Sequence, residues 1–196
     1  MNLPNKITMA RVFMIPFFVV FMCLSVTGAE AMPLRIAAEK SFVTLRWIAL
    51  AIFAIASFTD FLDGYIARKR KLVTNFGKFM DPLADKLLVC SAFILLSTEG
   101  SLPVWVTLIV IAREFIISGF RLVASDNGVV IAASYWGKFK TTSQMLLCLV
   151  LIHPTLPVIL GNVVVWILII VSTLLSLISL VDYMVKNINV ILEGGM

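Results

Sequence analysis

Four of the chain's six aspartates, Asp60, Asp63, Asp81 and Asp85, fall within 26 residues. They lie where two long apolar stretches end and begin. A carboxylate at membrane depth costs a few kcal/mol on insertion scales, so a cluster there points to function. The spacing predicts a shared site. On a helix, Asp60, Asp63, Gly64, Ala67 and Arg68 lie on one face, and so do Gly77, Asp81 and Asp85. Oxygen ligands converging from two antiparallel helices suit a hard divalent cation, Mg²⁺ or Mn²⁺. Four carboxylates at close range cannot all stay ionised without cations, and they exceed what one octahedral ion needs. Two ions with bridging aspartates is the natural expectation, and such a pair serves displacement at phosphorus. The small residues Gly64, Ala67 and Gly77 leave room for a bulky ligand to approach the backbone.

The elements that hold these residues are read from composition and hydropathy. Of 196 residues, 61% are hydrophobic and only 14% are charged. A soluble domain carries ~25% charged residues, so a soluble globular fold is excluded, as are a disordered chain and a disulfide scaffold. The apolar residues suffice for six spans of ~20 residues each. The runs are long and continuous, which excludes an outer-membrane barrel. The expected fold is all-α: a polytopic bundle of six transmembrane helices in one domain, residues 1–196. A short polar amino-terminal segment at the interface leads into it. Spans are predicted near 9–27, 43–68, 78–97, 102–124, 135–153 and 158–183, with a loop between the first two. The first span is expected to stay uncleaved. Cys23, Cys90 and Cys148 lie inside apolar runs and are expected to pack rather than bind metal.

The net charge is +5. Its distribution favours topology over nucleic-acid binding, and no nucleic-acid partner is expected. Arg11, the run Arg68-Lys69-Arg70-Lys71, Lys78, Arg113, Arg121, Lys138, Lys140 and Lys186 fall on one face if six spans alternate. The positive-inside rule then places both termini and the aspartates at the cytoplasmic side of the cell membrane.

The run Asp60-Phe-Leu-Asp63-Gly64-Tyr-Ile-Ala67-Arg68, eight residues, then Gly77-Lys-Phe-Met-Asp81-Pro-Leu-Ala-Asp85, resembles the signature of the CDP-alcohol phosphotransferase family, D-x2-D-G-x2-A-R-x8-G-x3-D-x3-D. All eight defining positions are present. Three further segments look like the branch of the family that uses sn-glycerol 3-phosphate. They are Asn2-Leu-Pro-Asn5-Lys-Ile-Thr8-Met-Ala-Arg11, Arg113-Glu114-Phe-Ile-Ile-Ser118-Gly-Phe-Arg121 and Gly137-Lys138-Phe-Lys140-Thr141. The resemblance implies a homodimeric, metal-dependent enzyme of six transmembrane helices among membrane lipids. Such an enzyme moves the phosphatidyl group of CDP-diacylglycerol to an alcohol and releases CMP. It implies Asp60, Asp63 and Asp81 as metal ligands and Asp85 as a ligand or the general base. It also implies a donor nucleotide site of Asn5, Thr8, Arg11, Asp60, Gly64, Ala67, Arg68 and Gly77.

A phosphate on the acceptor needs paired charge near the membrane face. Arg113, Arg121, Lys138 and Lys140 are the candidates. Three of these have a competing structural expectation: Arg113 paired with Glu114 inside the membrane, and Lys138 and Lys140 snorkelling to the interface. The signature reads the donor, so inositol phosphate, serine and phosphatidylglycerol stay open as acceptors. An ion-coupled transporter using the aspartates is the alternative of a different class. Against it, the carboxylates gather at one membrane face and no inverted repeat is evident.

Overall fold

In the computed structural model the backbone is described for residues 3–31, 35–70, 75–126 and 134–193, and side chains for 8–26, 42–59, 83–125 and 134–187. Every regular element among the described residues is an α-helix: α1 Leu3–Ala31, α2 Arg35–Arg70, α3 Asn75–Thr98, α4 Val104–Asp126, α5 Tyr135–Ile152 and α6 Leu156–Glu193. The order and number are those expected. The bounds differ at two places. The polar amino-terminal stretch is helical from Leu3 and continuous with the first span. The stretch read as a first loop is mostly helix, since α1 runs to Ala31 and α2 starts at Arg35. Charged residues do not break a helix that has left the hydrocarbon; they only end its apolar run.

Thr8–Val26, Phe42–Thr59 and Leu156–Asn187 are long and apolar enough to cross a membrane. The other three helices interrupt their apolar runs with charge, at Asp85 and Lys86 in α3, Arg113, Glu114 and Arg121 in α4, and Lys138 and Lys140 in α5. The polarity of the bundle is that of a membrane protein. Phe13, Phe17, Phe58, Leu108, Phe115, Leu122, Val158 and Val163 face outward, while Arg11, Arg113, Glu114 and Lys140 are buried. An outer surface this apolar is stable only against lipid.

Helical spacing builds the core. Ala49, Phe53 and Ala56 of α2 lie on one stripe, and so do Leu88, Ala92 and Leu96 of α3. The alanines let helices approach closely, and α1 packs most extensively on α2. There Phe18 and Phe53 meet with ring centroids 5.5 Å apart. Leu102, Val106 and Val110 of α4, Leu147 and Leu151 of α5 and Ile169 of α6 complete the cluster.

The bundle has two ends. At one, the end of α2 meets the start of α3, and the end of α4 precedes the start of α5. At the other, Gly100 turns the chain between α3 and α4 with φ of 80°. His153 caps the start of α6 there, its Nδ1 accepting from the backbone N–H of Thr155 and Leu156 at 3.2 and 3.1 Å. One turn further on, Gly161 interrupts α6 with φ 76° and ψ 159°, a conformation that favours glycine.

Candidate active site

The last turns of α2 and the first turns of α3 carry the aspartate motif, and the two helices pack against each other. The backbone is helical through both halves of the motif, so the one-face spacing expected from the sequence has its structural basis. The side chains of Asn5, Asp60, Asp63, Gly64, Ala67, Arg68, Gly77 and Asp81 lie outside the described residues. Among the described residues no group of three or more His, Cys, Asp or Glu side chains is placed to hold a metal ion. The donor chemistry of the motif, carboxylates alone, fits a hard divalent cation. Asp85 is described, half-buried on α3 between the buried Ala84 and Leu88. Thr8 and Arg11 are fully buried on one face of α1, although both carry polar side chains.

Next to Asp85 in sequence begins a second polar assembly, between α3, α4, α5 and α6. Arg113 Nη1 donates to Glu114 Oε1 at 2.8 Å, and Lys140 Nζ donates to the same oxygen. Arg113 Nη2 donates to Ser179 Oγ of α6 at 2.5 Å. Lys86 Nζ donates to Ser118 Oγ, which donates in turn to the Glu114 carbonyl oxygen at 2.5 Å. Two cations therefore share one carboxylate oxygen, and a third, Lys86, is linked through Ser118 to the backbone of the same residue. Arg113 Nε is buried without a hydrogen-bond acceptor among the described residues. One turn along α5 from Lys140, both amide atoms of the buried Gln144 also lack a partner among the described residues. So do the hydroxyls of Ser172 and Ser176 on α6. These atoms continue the polar seam along the α5–α6 contact.

Local sequence explains the placement. Ser134 caps α5, its Oγ accepting from Gly137 N at 3.2 Å, and this sets the helix phase that turns Lys140 inward. Lys138, two residues earlier, falls on the opposite side and is exposed, 5.4 Å from the Tyr135 ring centroid. Arg121 is also exposed, 5.8 Å from the Tyr183 ring centroid. The four cations singled out in the sequence are thus divided: Arg113 and Lys140 share a buried carboxylate, while Arg121 and Lys138 are exposed, over the buried Tyr183 ring and the exposed Tyr135 ring respectively. The Arg113–Glu114 pair expected on structural grounds is present. Lys140 is buried rather than turned outward, whereas Lys138 is exposed. Lys86, Ser118 and Ser179 were not singled out. Lys86 had a legible signal, a lysine in a span directly after Asp85. Ser118 lies in the segment already likened to the family, whereas Ser179 had no signal.

A cavity of about 420 Å³ opens beside this assembly between α3 and α4. Leu83, Leu87, Ile94, Ile111 and Phe115 make its apolar wall, and Lys86, Glu114 and Ser118 its polar part.

A bundle of six helices, with a complete aspartate motif across α2 and α3 and a buried cation group beside it, defines a membrane transferase of activated alcohols. The chain belongs to the CDP-alcohol phosphatidyltransferase family, which it matches over residues 1–178. Among curated relatives, it is 45% identical over 157 residues to the CDP-diacylglycerol–glycerol-3-phosphate 3-phosphatidyltransferase of Bacillus subtilis, covering 80% of this chain and 79% of that one. It is 43% identical over 150 residues to the protein of the same name from Haemophilus influenzae, covering 74% and 72%. It is 40% identical over 143 residues to a probable phosphatidylglycerophosphate synthase of Mycobacterium tuberculosis, covering 73% and 62%. The family generally uses divalent metal ions.

Proposed function

We propose that this single-domain enzyme transfers the phosphatidyl group of CDP-diacylglycerol to sn-glycerol 3-phosphate, giving phosphatidylglycerophosphate and CMP. The observation that carries the acceptor is the excess of cations at the buried Arg113 and Lys140 and the half-buried Lys86, in helices adjoining Asp85. A phosphate dianion entering a low-dielectric site needs such pairing, whereas serine brings no phosphate to it. The names of the relatives support the same donor and acceptor.

In this mechanism the acceptor hydroxyl attacks the β-phosphorus of the donor. An oxygen–phosphorus bond forms, the bond to CMP breaks, and Asp85 takes the hydroxyl proton. Asp60, Asp63, Asp81 and Asp85 would hold Mg²⁺ or Mn²⁺, two ions by the carboxylate count, supplying charge neutralisation at the pyrophosphate. Gly64, Ala67, Arg68 and Gly77 frame the cytidine nucleotide, and Asn5, Thr8 and Arg11 reach it from α1. Arg113 and Lys140 hold the acceptor phosphate. Arg121 and Lys138, at the surface, raise the local concentration of an anionic acceptor.

The basic clusters support an orientation with both termini and the aspartates cytoplasmic. Cysteine labelling in a thiol-free background is expected to find residues 99–101 outside and position 70 inside. The family resemblance supports a homodimer, which the mass of the detergent-solubilised particle checks.

The central experiment is an acceptor screen. Purified protein in mixed micelles with CDP-diacylglycerol and a divalent ion is expected to release CMP with glycerol 3-phosphate. Inositol phosphate and serine are expected to give background release. Faster release with either of these overturns the acceptor assignment. Release of none, with every acceptor and both metals, overturns the transferase itself.

A further inference from the structure

We propose that Glu114 is a positioning residue for the acceptor, holding Arg113 and Lys140 side by side so that their unspent N–H groups face the acceptor phosphate. The inference rests on the proposed acceptor. Both cations donate to one oxygen, Glu114 Oε1, from residues one and 26 positions away in the chain. One carboxylate thereby ties α4 to α5. Ser179 fixes the other end of the Arg113 fork from α6. Through its backbone carbonyl Glu114 also receives Ser118, the partner of Lys86 on α3.

This set is not closed. An ammonium has three donors and a guanidinium five. Arg113 Nε is buried with no acceptor among the described residues. Burying a cation with donors unspent is costly unless an anion or water arrives to take them. Two cations on one carboxylate, with Lys86 alongside, leave a positive excess that suits an anion such as phosphate. The carboxylate moderates the repulsion among the cations and sets their geometry. Without it the long side chains of Arg113 and Lys140 repel each other and lose their common alignment.

Positioning through two other residues has a distinctive kinetic form. In the full-length enzyme, with both substrates varied, Glu114→Ala is expected to raise the KM for glycerol 3-phosphate ~10-fold or more, the scale of a charge-assisted hydrogen bond. The KM for CDP-diacylglycerol is expected to stay within ~2-fold, because donor binding does not pass through these groups. Added to an Arg113→Ala, Lys140→Ala enzyme, Glu114→Ala is expected to change the acceptor KM by less than ~2-fold, since nothing remains to position. Should Glu114→Ala fail to fold, Glu114→Gln keeps the size and an accepting oxygen. It is expected to give a smaller rise, ~3-fold, with the same split between substrates.

A full multiplicative effect of Glu114→Ala on top of the double variant overturns the role. An unchanged acceptor KM in Glu114→Ala, with Arg113→Ala and Lys140→Ala both raising it, also overturns it while leaving the acceptor site standing. If none of the three moves that KM, the phosphate site itself is wrong and the positioning role falls with it.

Discussion

The two ends of the bundle each bury a glutamate with arginine, and they do so in opposite ways. At the end away from the aspartates, Arg46 of α2 grips Glu99 with two hydrogen bonds of 2.9 and 2.8 Å. Two further donors go to the carbonyl oxygens of Ile152 and Leu151 at 2.9 and 2.7 Å, which are orphans of the α5 terminus. One cation meets one anion, and the guanidinium is satisfied on both edges. Trp47 packs edge-on against His153 beside it, with centroids 4.6 Å apart. At the other end Glu114 faces Arg113, Lys140 and, through Ser118, Lys86, with donors left over. Four of the five guanidinium donors of Arg46 are spent, which marks the clamp as a device that joins α2, α3 and α5. The Glu114 group is incomplete, which is the ground for proposing it as a ligand site. Counting buried ion pairs would not separate the two; a donor that is both buried and unspent, Arg113 Nε, does.

The comparison breaks if activity and stability do not divide between the ends. The largest effect is expected at Asp85. Asp85→Asn keeps the shape but removes the base, and kcat is expected to fall ~10²–10⁴-fold with the melting temperature in detergent nearly unchanged. Chelation by EDTA is expected to stop turnover in the same range, restored by Mg²⁺ or Mn²⁺. At the opposite end Arg46→Ala strands Glu99 and two helix-terminal carbonyls. It is expected to cost ~2 kcal/mol of stability, discounted for the partial exposure of Arg46, while both KM values of the surviving enzyme hold. A reversed result, with Arg46→Ala raising the acceptor KM, would erase the distinction.

Smaller effects sharpen it. Arg121→Ala and Lys138→Ala remove exposed cations stacked on tyrosine. Each is expected to raise the glycerol 3-phosphate KM by ~3-fold or less, and less still at high salt, because exposed charge is screened. Gly161→Ala tests the kink in α6. A methyl group there meets nothing within 4 Å. The expected loss of ~1 kcal/mol therefore comes from backbone conformation alone, read as a lower thermal midpoint with unaltered kinetics.

Much of this was legible in the sequence because it is periodic. The spacing of Asp60, Asp63, Asp81 and Asp85 needs only a helix to make two faces, and the apolar runs need only a bilayer to make spans. Contacts between distant helices are not periodic. Nothing local says that Lys140 meets Glu114, 26 residues earlier, or that Ser179 reaches Arg113; the phase set by the Ser134 cap and the approach of α5 to α4 decide that. Arg121 and Lys138 looked equivalent to Arg113 and Lys140 by charge and segment, and only burial divides them. The Gly161 break was hidden because a glycine within an apolar run of a membrane helix is ordinary. The extents of α1 and α2 were underestimated because hydropathy reports where lipid ends, not where the helix does.

The register of α3 has a consequence for how the enzyme meets its donor. Leu83 and Leu87, two residues either side of Asp85, are 41% and 45% exposed on the outer face of the bundle. The outer face and the carboxylate proposed as the base are thus separated by no more than the girth of one helix, ~10 Å. A donor anchored by two acyl tails can present its headgroup while its tails stay among the lipids. Encounter is then two-dimensional diffusion. The velocity follows the mole fraction of the donor in the surface, and adding inert phospholipid at fixed total donor slows the enzyme as surely as an inhibitor would.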